Sequence, residues 1–173
     1  CRGVRLASGE TVAAEVTVVA AGCWSAPLLR HAGLRLPLEA GKGYHLDLAD
    51  ADPMPRQPWV LVEAAVAVTP LGDRLRLAGT VEFSGRNADL LAPRVAMLRR
   101  GFDRAAVRTV AGDEVSTWCG LRPCLPDGLP AIGPVAGTGG LYVATGHAKM
   151  GLTLGPGTGR LIAAMITGEA EPL

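Results

Sequence analysis

The sequence predicts an α+β fold in which an α/β part shares one chain with a mixed, largely antiparallel sheet. Three observations carry that expectation. Near the start, the β-branched run "EVTVVAA" (Glu15–Ala21) stops at Gly22 and gives way to a short helical pattern. From Leu36 to Thr80 the pattern is strand after strand, followed by one helical period. Near the end, "GLYVATG" (Gly140–Gly146) reads as a buried strand and "GTGRLIAAMITG" (Gly157–Gly168) as a helix, so both outer parts carry a strand-to-helix junction.

Taken in order, "GVRLA" turns at Ser8-Gly9 and returns as one increasingly apolar strand to Ala21. "SAPLLRHAG" predicts a short helix with Ser25 as N-cap, Pro27 in its first turn and Gly33 as its stop. "GKGYHLDL" alternates, "WVLVEAAVAVTP" reads as one longer strand, and "GDRLRLAGTVEF" follows a Pro-Leu-Gly-Asp turn. "ADPMPRQP" is a proline-rich surface loop. Over 92–106, Val95, Leu98, Phe102 and Ala105 step by three and four with arginines opposite, as a helix requires. The stretch "EVSTWCGLRPCLPDGLPAIGPV" is expected to be irregular, being rich in Pro and Gly. In the last helix Leu161, Ile162, Met165 and Ile166 form the apolar face. The organisation expected is 1–35 and 119–173 as two parts of one domain, with 36–118 inserted between them.

Composition excludes several functions. The 173 residues carry a formal net charge of +1, and no basic stripe is interleaved with aromatics, so nucleic acid is not the expected partner. No apolar run reaches the roughly 18 residues of a membrane-spanning helix. Cys119 and Cys124 fit no common zinc spacing, so no metal site is expected and the four cysteines read as free thiols. The start at Cys1-Arg2-Gly3, without Met or an apolar leader, leads us to expect a fragment of a longer protein.

The stretch Leu141–Gly168 holds the chemistry-bearing pattern: Gly146, His147, Gly151, Gly155, Gly157 and Gly159 precede or open a helix. A helix start offers backbone N–H groups without intrahelical partners and roughly half a positive charge. Side-chain-free residues let a ligand approach that backbone, and Thr153 and Thr158 add hydroxyls. Tight turns use glycine too. The stretch lacks the Gly-Lys-Ser/Thr ending of a P-loop, and "GPGTG" lacks the third glycine of a dinucleotide fingerprint.

Three blocks, "VVAAGCWS" (Val18–Ser25), "WCGLRPCLPDGLPAIGP" (Trp118–Pro134) and "GHAKMGLTLGPGTGRLIAAMI" (Gly146–Ile166), resemble in order and spacing the D-amino-acid oxidase-like family of FAD-dependent oxidoreductases. The D-amino acid dehydrogenases are its most similar subgroup, to whose substrate-domain strands "GKGYHLDL" and "GDRLRLAGTVEF" are also similar. The resemblance implies the back part of an FAD-binding domain at 1–35 and 119–173, and a substrate-binding domain at 36–118. It also implies an incomplete FAD/NAD(P)-binding fold that lacks its N-terminal βαβ unit. Ala148 stands where many relatives have glycine, and Lys149 and Met150 depart from the commonest dehydrogenase pattern.

The family carries roles onto matching positions. Arg122, in "GLRP", would pair bidentately with a substrate carboxylate, a geometry a guanidinium fork suits. Gly146, His147, Gly151 and Thr153 fall on the flavin-facing block, with Gly22 and Trp24 on the strand-end block against FAD. Tyr44 could reach the substrate pocket, although an aromatic on an alternating strand also serves packing. No catalytic acid or base is expected. The implied activity of the parent is oxidative deamination of a D-amino acid to a 2-oxo acid by hydride transfer to flavin. Alternatives are glycine- or sarcosine-oxidase-like chemistry, or a silent module that does not bind FAD. Implied partners are the amino acid substrate, a missing N-terminal segment or a second copy, and a membrane quinone pool for the parent. The implied location is cytoplasmic, with peripheral attachment to the inner membrane face as the variant.

Overall fold

The computed structural model describes residues 1–105 and 110–169. Two compact units divide the chain, one of Cys1–Ala40 with Arg122–Leu173 and the other Gly41–Leu121.

In the first unit, β1 (Gly3–Arg5) and β2 (Thr11–Ala13) form an antiparallel hairpin closed by Leu6 N–H to Glu10 O at 2.8 Å. The expected single return strand is therefore broken: β3 (Thr17–Val19) leaves the hairpin and pairs in parallel with β10 (Leu141–Thr145). On its other side β10 pairs antiparallel with β9 (Ala131–Pro134), giving the order β3-β10-β9. Leu29, Val135, Leu141 and Val143 form the buried cluster beneath this sheet.

Helix α1 (Ser25–Arg30) follows a 3₁₀ turn over Gly22–Trp24. Ser25 is the first helical residue and not the N-cap; that position is held by Trp24, and among the described residues no side chain caps the helix. The Ser25 hydroxyl is buried without a partner among the described residues. Gly33 does end the helix: Leu34 N–H reaches Leu29 O and Gly33 N–H reaches Arg30 O, the paired bonds of a Schellman stop.

Helix α3 (Gly151–Thr167) corrects the sequence reading most. Gly151, Gly155, Gly157 and Gly159 lie inside it with Pro156, and only a 3₁₀ turn at Ala148–Met150 precedes it. Glycine and proline both disfavour helix interiors, which is why the stretch reads as a loop. Ile162 and Ala164 anchor the second half in the core, while Ile166 is exposed, so the expected apolar face is only partly buried. Gly168, at φ 73°, ends the helix as expected.

In the second unit, β4 (Glu39–Asp52), β5 (Trp59–Leu61), β6 (Val66–Leu71), β7 (Arg74–Phe83) and β8 (Ala111–Cys124) form one sheet in the order β5-β6-β7-β4-β8. "WVLVEAAVAVTP" is a hairpin rather than one strand, because Ala65 turns left-handed and its N–H closes on Val62 O. Gly72, at φ 64°, opens the two-residue turn between β6 and β7. Of the stretch expected to be irregular over Glu114–Val135, the part up to Cys124 belongs to the fourteen-residue β8 and Ala131–Pro134 to β9, with only a turn between them. The place of β8 at the sheet edge tolerates Pro123, which has no N–H to give a ladder. Its last residues, Arg122–Cys124, belong to the first unit.

Helix α2 (Ala92–Ala105) covers one face of the sheet; position 106 lies outside the described residues. Leu98 and Phe102 pack on Leu46, Leu48, Leu75 and Leu77, all at most 1% exposed. Each such side chain contributes about 1.5–3 kcal/mol on burial. β4 is buried along both faces rather than alternating: Tyr44, Leu46 and Leu48 join the hydrophobic core on one face, and Asp47 is held by Arg76 and Ser116 on the other.

Candidate functional site

The first unit gathers most of the predicted residues at one end of its sheet. β3 and β10 run parallel, and their carboxyl ends both pass through a left-handed glycine into a helical turn: Gly22 at φ 53° and Gly146 at φ 87°. In open α/β sheets that end is where crevices form and ligands bind. Thr145, 1% exposed, ties the two junctions together by donating from Oγ1 to Gly22 O at 3.0 Å. The sequence reading missed this threonine, because the contact joins positions far apart in the chain.

Gly146 is a glycine for a packing reason as well. A Cβ there would stand 2.6 Å from Leu125 Cδ1, so a side chain would have to displace Leu125 on a backbone that is already left-handed. Two residues on, Ala148 is left-handed at φ 47°, a conformation that costs a residue with a Cβ roughly 1–2 kcal/mol. Strain of this kind is retained where surrounding structure over-determines it.

His147 is half-buried and fixed. Its Nε2 stands 2.8 Å from Thr158 Oγ1 on α3, and its backbone forms an antiparallel bridge with Cys124. That bridge draws the end of β8 alongside the start of α3. Arg122 lies two residues before Cys124 on the same strand face, about 6.6 Å away along the strand. The guanidinium expected to hold a carboxylate therefore sits on the strand that meets the helix start, and its residue is half-buried.

Among the described residues no side chain caps the 3₁₀ turn or α3, and neither first turn carries an acidic residue. The positive end of the helix dipole is thus left for something else to balance. Gly151 and Thr153 lie exposed in the first turn of α3. Among the described residues, nothing beyond the adjoining residues and backbone of α3 comes within 4 Å of a Cβ built at Gly155, Gly157 or Gly159, and Leu152 is 96% exposed. Trp24, 55% exposed, stands at the β3 end. An uncapped helix start beside two glycine junctions suits a planar electron acceptor that gains negative charge on reduction, such as a flavin: the residues present fit the group.

Tyr44 is placed differently. It lies in the core of the second unit, 2% exposed, and its hydroxyl donates to Glu82 Oε2 at 2.8 Å. Lys42, 1% exposed, joins the cluster through Glu82 Oε1 at 3.3 Å, Asn87 Oδ1 at 2.7 Å and Asp89 O at 3.1 Å. A β-bulge builds it: Lys42 faces Glu82 while Tyr44 faces Gly79, so β7 spends two residues, Thr80 and Val81, against one on β4. The bulge brings Glu82 onto the face of Tyr44. Hydrogen bonds from Ser84, Tyr44 and Lys42 hold the Glu82 carboxyl down at about 2 against the opposing effect of burial. Burial works to lower Lys42, but contacts with Tyr44 and Glu82 outweigh it and the net direction is up. Burial and Glu82 push the Tyr44 phenol up.

On the opposite sheet face Arg76 grips Asp47 with two bonds of 2.8 and 2.9 Å, and Ser116 adds a third at 3.2 Å. The Arg76 bonds lead in holding Asp47 below its ordinary range. His45 stacks on Trp118 with centroids 5.3 Å apart, and burial followed by Arg76 lowers its pKa.

With an α/β unit whose strand ends carry two left-handed glycine junctions, and a unit built on a largely antiparallel sheet, the chain is of the flavin-dependent oxidoreductase class. It belongs to the FAD dependent oxidoreductase (DAO) family, whose profile matches residues 1–165. A D-amino acid dehydrogenase of Methylobacterium nodulans is 39% identical over 173 residues, covering 99% of this chain and 41% of the relative. One of Methylobacterium sp. strain 4-46 is 41% identical over 171 residues, covering 96% and 40%. Among solved structures, iminodiacetate oxidase from Chelativorans sp. BNC1 superimposes with a TM-score of 0.84 at 25% identity, covering 96% of this chain and 46% of that one. Glycine oxidase from Bacillus cereus ATCC 14579 gives 0.81 at 26%, covering 99% and 48%. The chain thus spans about two fifths of the length of the curated relatives it matches. FAD is the cofactor that defines the family. Among the described residues no helix is long and apolar enough to cross a membrane.

Proposed function

We propose that this chain is the flavin-facing and substrate-facing part of an enzyme that oxidises a D-amino acid to its 2-oxo acid. The observation that carries the reading is the pair of left-handed glycine junctions at the carboxyl ends of β3 and β10, beside the uncapped start of α3. Identity near 40% to relatives named D-amino acid dehydrogenase supplies the substrate class. Gly22, Trp24, Gly146, His147, Gly151 and Thr153 would hold the flavin. When bound, it supplies a two-electron acceptor for the hydride leaving the substrate Cα as the amine lone pair forms C=N. Water then hydrolyses that imine to the 2-oxo acid and ammonia.

The chain's own part is orientation. Arg122 pairs its fork with the substrate carboxylate and so fixes which C–H can be transferred, an effect of the kind that removes several kcal/mol from a barrier. Amides at the start of α3 stabilise negative charge arriving on their ligand without reorganising. A neutral substrate amine needs no protein base. Domain roles follow: 1–35 and 119–173 contribute to the flavin domain, and 36–118 to the substrate domain.

A chimera in which this chain replaces the aligned part of the Methylobacterium nodulans relative tests the reading. It should purify yellow, with flavin absorption bands, and reduce an artificial acceptor with D- but not L-amino acids. A colourless or D-inactive chimera, beside an active parent, contradicts it. A second reading, oxidation of glycine or a secondary amine, draws on the likeness to glycine oxidase and iminodiacetate oxidase. Preferred turnover of glycine, sarcosine or iminodiacetate, with oxygen as acceptor, would select it.

A further inference from the structure

Two threonines of α3 use their hydroxyls differently. Thr167 Oγ1 donates to Ala163 O at 3.1 Å, the back-bond to the i−4 carbonyl usual for a helical hydroxyl. The matching acceptor for Thr158 is Leu154 O, and no such bond forms among the described residues. There the one partner of Thr158 Oγ1 is His147 Nε2, at 2.8 Å.

A hydroxyl carries one hydrogen, and neutral imidazole has one donor and one acceptor nitrogen. With the Thr158 hydrogen unclaimed by the helix backbone, the bond that uses it runs from Oγ1–H to Nε2. Nε2 is then the bare nitrogen, and the ring proton resides on Nδ1. This is the reverse of the form that an unconstrained histidine side chain favours.

The geometry points to Thr158 as a positioning residue that holds His147 in its Nδ1–H tautomer and so equips the carboxyl end of β10 with a side-chain hydrogen-bond donor for its ligand. Nδ1 has no protein partner among the described residues. The ligand atom it suits is an acceptor, a carbonyl oxygen or an unprotonated ring nitrogen; on the flavin reading, on which the ligand's identity rests, these are atoms of the pyrimidine ring. Which ring nitrogen carries the proton is set by the hydrogen bond made by the other, so the donor is built by the fold before any ligand arrives. Ring orientation is fixed by the same contact and by the backbone bridge to Cys124.

The tautomer can be read without flavin. The chain, labelled with ¹⁵N-histidine and held above the ordinary histidine titration range, gives long-range ¹H–¹⁵N correlations for His31, His45 and His147; His147→Gln identifies the third set. The native chain should show a proton-bearing Nδ1 and a bare Nε2 for His147. Thr158→Val should return most of the population to Nε2–H, and Thr158→Ser should restore the native pattern. A native spectrum with the proton on Nε2 overturns the inference, as does an unchanged tautomer in a folded Thr158→Val chain. Should Thr158→Val fail to fold, the native and Thr158→Ser spectra decide on their own. Because no flavin is present, this result can fail while the flavin reading stands, and hold if that reading falls.

Discussion

Buried polar groups of the second unit close upon one another, while the first unit leaves the start of α3 uncapped at the end of its sheet. Lys42, Tyr44, Glu82 and Asn87 satisfy each other, as do Asp47, Arg76 and Ser116 on the other face. In the first unit the comparable places are an uncapped helix start, a run of glycines against open space, and exposed Trp24 and Leu152. Internally satisfied polar clusters serve the stability of their own unit, whereas uncapped helix amides stay open to a partner. The two therefore should respond to different perturbations.

The largest effect on stability is expected in the Lys42 cluster. Glu82→Gln leaves a buried ammonium without its counter-charge, and removal of one buried partner is far more damaging than removal of both. The thermal midpoint should fall by roughly 10 °C, and Lys42→Met on top of Glu82→Gln should recover part of it. A midpoint unmoved by Glu82→Gln would show the cluster to be idle.

Acid should strike the same unit next. Glu82 is held at about 2 against an ordinary 4.5, and Asp47 is also depressed. Carboxyls with lowered folded pKa contribute stability above their unfolded values and lose it as pH falls through the folded ones. Denaturant melts should therefore show stability draining between about pH 4.5 and 2, and Glu82→Gln should flatten that slope. His45, lowered by burial and by Arg76, adds loss in the same direction as pH drops below about 6.5.

Smaller effects belong to the first unit. Thr145→Val removes the bond to Gly22 O and should cost about 0.5–1.5 kcal/mol by chemical denaturation. Thr145→Ser should cost less, since it keeps the donor. Smallest of all, Leu152→Ser should change stability by no more than about 0.5 kcal/mol, because the side chain is 96% exposed. A large loss there would mean that α3 is already covered by another copy, which light scattering would detect.

Local signals were the legible ones. The period of Val95, Leu98 and Phe102 gives α2, the Gly72-Asp73 turn gives the β6–β7 hairpin, and Gly33 and Gly168 mark helix stops that the structure keeps. α3 was legible only in its second half, since four glycines and Pro156 hide a helix that is continuous from Gly151. The long edge strand β8 was hidden by the same residues, whose penalties an edge position relaxes. At the candidate site, the strand-end glycines, His147 and Arg122 stand out in the sequence. The bond from Thr145 to Gly22, the Cys124–His147 bridge and the bulge that turns Glu82 toward Lys42 do not. Each depends on register between segments distant in the chain, which no local pattern encodes.

Orientation of a carboxylate by Arg122 is the claim on which the functional account turns. Steady-state kinetics of the chimera carrying Arg122→Leu, with flavin content measured on the same sample, tests it. The account predicts full flavin occupancy with kcat/KM for D-amino acids lowered at least about 100-fold; unchanged kcat/KM in a fully flavinated protein would contradict it.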